Sequence, residues 1–104
     1  MSVRFTESNW KRFDTHNKET TTRFHSLKVG WQKAIGGSRF KPVTWGIVYV
    51  SEVMATKTVD MLTLEDAKAD GFESLADYLM ELGFLDKRKH CGRDIVYIHK
   101  VERG

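Results

Sequence analysis

The sequence predicts an α+β fold, a small curved mixed sheet or barrel of about five strands with two to three short helices at its rim. Helical patterns occur once near the start and then as an adjacent pair before the last strand, so helix and strand do not alternate as in a doubly wound fold. Four or five short segments carry β-branched runs or period-two apolar alternation. A chain of 104 residues, 40% hydrophobic and 30% charged, has material for one core, and is read as one domain over 1–104.

Taken in order, Thr6 caps a helix whose apolar face carries Trp10 and Phe13. After the polar break at 14–17, Thr20 to Phe24 is a strand by propensity, with Thr20, Thr22 and Phe24 on one face and Thr21 and Arg23 on the other. Val29-Gly30 turns into a strand over 31–35, and the Gly36 to Pro42 stretch reads as a loop. Thr44 to Val53 is the strongest strand and, apolar on both faces, central; Ala55 to Met61 is read as a further strand. Thr63-Leu64-Glu65-Asp66 is a capping-box pattern, and Gly71 suits the left-handed end of a short helix. A second helix starts near Ser74, with Leu75, Leu79 and Leu82 on one stripe, Tyr78 flanking it and Gly83 as terminator. Ile95 to Val101 is the closing strand.

No apolar run approaches the roughly 20 residues of a membrane helix, and no charged segment leads into an apolar stretch at the amino terminus. With a lone cysteine, Cys91, unable to form an internal disulfide, the expectation is a cytoplasmic protein without a membrane partner. His16, His25, His90 and His99 lack ligand spacing and no phosphate-cradling glycine loop is present, so no metal and no cofactor are implied. Cys91 lies near Lys89 and Arg93 but has no partner base. The oligomeric state is not readable.

Charge is uneven: residues 1–50 are net +6 and residues 51–104 net −3, with eight acids and one base in 60–86. A basic half suits an anionic partner such as nucleic-acid phosphate, and equally suits a solvated surface. Lys18, Thr21 and Arg23 gather an ammonium, a hydroxyl and a guanidinium, which bind an anion or activate a nucleophile if burial lowers the lysine pKa; a plain polar strand face is the alternative. Lys28, Lys33, Arg39 and Lys41 interleave with Trp31, Phe40 and Trp45, and Lys87-Arg88-Lys89 with Arg93 follows later, a make-up like that of single-stranded nucleic-acid sites. Trp31 and Trp45 are expected in the core, because a small domain needs its aromatics inside; Phe40, between cations in a loop, is expected outside. Glu52 points either into a cleft or to solvent.

The run Lys18-Glu19-Thr20-Thr21-Thr22-Arg23, then Leu27-Lys28-Val29-Gly30, a hydrophobic strand, and Leu62 to Leu75 with Asp70-Gly71-Phe72 at a helix end, resembles the ASCH domain of the PUA-like superfamily over most of the chain. The resemblance implies a small mixed β-barrel whose cleft binds RNA or a modified nucleoside around Lys18, Thr21, Arg23 and Asp70; Lys28, Arg39, Phe40 and Lys41, from the basic-aromatic pattern, are expected to add contacts. One small bacterial branch hydrolyses acetylcytidine. By that likeness Lys18 assists, Thr21 is the nucleophile, Asp70 stands where the branch has glutamate, and Asn17 stands where it has glycine. A ribonuclease using the same lysine is a further alternative. Asp70 also has a local reading, as a turn acid at a helix end. A cleft filled by its own side chains would favour a structural interaction protein.

Overall fold

Thr6 does cap the first helix: its hydroxyl accepts the Asn9 N–H at 3.1 Å, and the helix turns Trp10 and Phe13 inward, where they meet Phe5 at ring separations of 5.6 and 5.9 Å. The computed structural model describes residues 2–38, 40–86 and 94–104, the stretch 83–86 through its backbone alone. The elements run β1 (Ser2–Arg4), α1 (Glu7–Thr15), β2 (Thr20–Arg23), β3 (Gly30–Gly37), β4 (Pro42–Thr58), a 3₁₀ turn (Val59–Met61), α2 (Leu64–Ala69), α3 (Leu75–Asp86) and β5 (Ile95–Arg103). They build an α+β fold with one five-stranded mixed sheet in the order β1-β3-β4-β5-β2, in which β1 pairs β3 in parallel and the other ladders are antiparallel. Among the described residues no ladder joins β1 to β2, so the expected barrel is not closed.

Several boundaries differ from expectation. The two strands read over 44–61 are one continuous strand, β4, ending in the 3₁₀ turn; it pairs β3 through its first half and β5 through its second. Its register shifts between Val50 and Ala55, where the buried His99 of β5 donates through Nδ1 to the Ser51 carbonyl at 2.8 Å and accepts the Leu27 N–H on Nε2 at 3.0 Å. That bulge, filled by a side chain rather than by ladder bonds, is what imitates a strand break. Most of the expected Gly-Pro loop belongs to the hairpin: Gly36 and Gly37 end β3 and pair Val43 and Pro42 at the start of β4. Gly83 lies inside α3 instead of ending it, and Tyr78, expected at the flank, is 1% exposed in the core.

The apolar interior falls into two clusters. Val3, Phe5, Trp10, Ala34, Val48, Val50 and Val101 form the first, beneath α1. Leu62, Ala67, Phe72, Tyr78, Leu82, Val96 and Ile98 form the second, beneath α2 and α3. Lys18 lies 5.9 Å from the Phe13 ring, packed on the first cluster, and Asp70 precedes Phe72 of the second, so the buried polar groups occupy the seam between them.

Candidate functional site

All four residues of β2, Thr20 to Arg23, are buried although β2 is an edge strand of the sheet. The segment after α2 covers it: Glu19 N–H bonds the Ala69 carbonyl at 2.7 Å, and Thr22 N–H, pointing away from β5, bonds Asp70 Oδ2 at 3.1 Å. A side-chain carboxylate therefore satisfies the exposed edge of the strand. Asp70 can do this because the capping box at Thr63 and Asp66 fixes the start of α2, and Gly71, at φ +89°, turns the chain at its end. A Cβ on Gly71 would stand 2.9 Å from Cβ of Arg12, whose guanidinium donates to the Gly71 carbonyl at 2.8 Å.

Lys18 reaches the same carboxylate from the other side. Its ammonium pairs with Asp70 Oδ1 and donates to the Asp70 carbonyl at 3.1 Å, and its side chain has no solvent exposure. Asn17 enters this position at φ +50°, a left-handed conformation that asparagine tolerates better than most residues. Burial first, then the guanidiniums of Arg23 and Arg12, push the Lys18 pKa well below the ordinary lysine value, with Glu81 opposing.

On the next stretch of β2, Arg23 Nε donates to Thr21 Oγ1 at 3.1 Å and the guanidinium lies 5.0 Å from the Phe5 ring. Burial lowers Arg23 to about 10, with Glu81 opposing, so it stays charged at neutral pH; its second terminal nitrogen is buried and has no hydrogen-bond partner among the described residues. Thr22 turns the opposite way, its hydroxyl bonded to that of Tyr78, whose pKa burial pushes up.

The structure thus brings Lys18 to Asp70 and Thr21 to Arg23. Among the described residues the Thr21 hydroxyl makes no hydrogen bond with Lys18 or Asp70. The space among Asn9, Thr22, Asp70, Phe72, Tyr78, Glu81 and Leu82 is too narrow to admit a water molecule. An open groove of about 500 Å³ does border the cluster, lined by Phe13, Lys18, Glu19, Lys100, Val101, Glu102 and Arg103. Lys28, Phe40 and Lys41 are not part of it: Lys28 is exposed in the β2–β3 loop, and Phe40 and Lys41 are exposed at the tip of the β3–β4 hairpin, on the far side of β5 from β2. Arg39, Lys87-Arg88-Lys89, His90, Cys91 and Arg93 lie outside the described residues. Trp31, expected in the core, is 60% exposed, whereas Trp45 is half-buried and donates to the Phe5 carbonyl at 3.1 Å. Glu52 is solvent-exposed.

Sequence reasoning missed Glu81. On α3 it accepts the Thr6 hydroxyl at 2.7 Å, and its charge acts on both Lys18 and Arg23. An acid three residues after Tyr78 and beside Leu82, inside an apolar stripe, is the signal that could have found it. Among the described residues no cluster of three His, Cys, Asp or Glu side chains could hold a metal ion, and no helix is long and apolar enough to cross a membrane. Comparison of the chain with protein-family profiles, with curated proteins and with solved structures finds no match in any of the three.

Proposed function

We propose that this chain is an ASCH-like member of the PUA-like superfamily, a small mixed β-barrel whose open seam is bridged by side chains such as Arg23 on Phe5, and that it binds RNA or a modified nucleoside beside Lys18 and Asp70. One observation carries the reading: an amine and a carboxyl group 52 residues apart are buried against each other, next to a buried guanidinium and a hydroxyl. Taking such charges out of water costs more than an apolar core of equal volume, so stability alone does not explain them. Buried titratable groups gathered in contact are what a binding or catalytic site needs. The groove along Phe13, Lys18 and Glu19 is the side from which a planar polar ligand approaches, and Arg23 and Thr21 supply a cation and a hydroxyl for a carbonyl or phosphate oxygen.

Hydrolysis of an acylated cytidine is the second reading, favoured by the depressed Lys18 pKa. In that reaction Thr21 Oγ bonds to the acetyl carbon while its proton passes to the Lys18–Asp70 unit. The Arg23 guanidinium holds the oxyanion, and N4 of cytidine takes the proton as its bond to the acyl carbon breaks. Water then releases acetate from Thr21 by the reverse proton path. Since the Thr21 hydroxyl makes no hydrogen bond with Lys18, the side chains must shift as the ligand enters.

Calorimetric titration with acetylcytidine, together with acetate release, tests both readings. Binding in the wild type that is lost in Lys18→Met/Asp70→Asn supports the site, and turnover abolished by Thr21→Ala supports the hydrolase. Cleavage of added RNA instead would assign the lysine to a ribonuclease. Unaltered acetylcytidine binding in the folded double variant would remove these residues from function and leave the pair a structural tie.

A further inference from the structure

The outer face of β1, β3 and β4 takes no part in the cluster above. Between Glu19 and Glu52 the sequence contains no Asp or Glu but has Arg23, Lys28, Lys33, Arg39 and Lys41. Cross-strand pairs Trp31 with Tyr49 and Lys33 with Ile47 place these four side chains on one face, and Val48 and Val50 on the buried one. Trp31 is 60% and Ile47 51% exposed, and the Trp31 ring meets the Tyr49 ring edge to face at 5.5 Å. Arg4 on β1 is exposed beside them, its guanidinium bonded to the Gly37 carbonyl at 3.2 Å, and Phe40, 90% exposed, stands next to Lys41 at the hairpin tip. From Trp31 to that tip the strand runs about 20 Å. Beyond Tyr49 opens a hollow of about 440 Å³ lined by Val29, Tyr49, Ser51, Glu52, Met54 and Lys100.

A folded chain seldom leaves a tryptophan, a phenylalanine and an isoleucine, here Trp31, Phe40 and Ile47, exposed on one hairpin unless something covers them. Exposed cations, Arg4, Lys33 and Lys41, flank these side chains. A polyanion with planar faces fits both features at once, cations neutralising phosphates while rings stack on unpaired bases. We infer that the Trp31–Tyr49 face of the β3–β4 hairpin is a binding platform for single-stranded nucleic acid, with Arg4, Lys33 and Lys41 along its phosphate track and the hollow beside Tyr49 receiving one base. Glu102, in register with Tyr49, and Glu52 at the hollow border it, and Gly104, bonded to the Ile47 carbonyl at 3.0 Å, lies against Ile47 and one edge of the Trp31 ring, so the track runs on the β1 and hairpin side. The platform deepens the proposed function only in its partner class, because it lies apart from Lys18 and Asp70.

The test is fluorescence anisotropy of labelled rU10 and dU10 with the full chain at 50 and 200 mM NaCl, on variants whose thermal melts match the wild type. Trp31→Ala weakens binding at least about fivefold, as loss of one stacked base should. Lys33→Ala lowers the slope of log affinity against log salt by about 0.7. Equal binding of the two oligomers assigns stacking and phosphate contacts alone, and preference for rU10 adds readout of the 2′-hydroxyl. Absence of binding at 50 mM NaCl, or affinities unchanged in both Trp31→Ala and Lys33→Glu, overturns the proposal. So does concentration-dependent dimerisation abolished by Trp31→Ala, which assigns the face to a second copy. Acetylcytidine binding is read separately: Trp31→Ala leaves it intact, so a failed platform and a failed Lys18 site are told apart.

Discussion

The two regions with most functional character treat charge in opposite ways. Around β2 the charges are buried: Lys18, Asp70 and Arg23 sit almost out of reach of solvent and are held by partners from α1, the end of α2 and α3. On the β3–β4 hairpin the cations and aromatics face water, and the ladder beneath them is regular up to a shift at Ala34 and Ile35. Buried groups cannot be altered without leaving a partner orphaned, whereas exposed groups can be exchanged almost freely. Fold and site are therefore entangled at β2 and separable on the hairpin.

The largest effect that contrast foresees is at Asp70. Asp70→Ala leaves the Lys18 ammonium buried and the Thr22 N–H without an acceptor, so urea unfolding should show a loss of about 3–5 kcal/mol. His99→Ala comes next: it orphans the Ser51 carbonyl and the Leu27 N–H, and a loss of about 1–3 kcal/mol by the same measurement is expected. Tyr78→Phe, which strands only the Thr22 hydroxyl, should cost about 1 kcal/mol.

Acid sharpens the comparison at α2. Burial works against ionised Asp66, but the Lys57 ammonium and the Thr63 N–H and hydroxyl outweigh it and hold the carboxyl below its ordinary value. A folded-state pKa below the unfolded one means that the unfolded chain binds the proton first. The contribution is complete above the unfolded value near 4 and is lost as pH falls through the folded one. Removing Lys57 by Lys57→Met should flatten stability against pH in that acid window. At the far end of the scale, Trp31→Ala should move stability by no more than about 0.5 kcal/mol while weakening oligonucleotide binding. A large loss of stability there would erase the distinction between the two regions.

What the sequence made legible is what short-range physics decides. The Thr6 and Thr63 caps, the split of Thr21 and Arg23 from Thr22 on β2, and the left-handed Gly71 follow from neighbours within a turn or two. Long-range pairing was not legible. The three-residue β1 exists only as a parallel partner of β3. The continuity of β4 through Ser51 depends on His99, 48 residues later. Of the site, Lys18 and Asp70 were named and do meet; Glu81 was not, because its relevance arises only when α3 packs over Arg23 and Thr6. Trp31 was misplaced because alternation shows which residues share a face, not which face of a three-strand ribbon is left uncovered.

The central claim is that the Lys18–Asp70 pair is kept for its ligand and not for the fold. Its most direct test is to measure unfolding free energy and acetylcytidine binding on the neutral double variant Lys18→Met/Asp70→Asn, in which the introduced amide oxygen still accepts the Thr22 N–H. The account expects stability to recover to within about 2 kcal/mol of the wild type, against the larger loss in Asp70→Ala, with binding abolished. A double variant that is as unstable as Asp70→Ala yet binds acetylcytidine normally would contradict it.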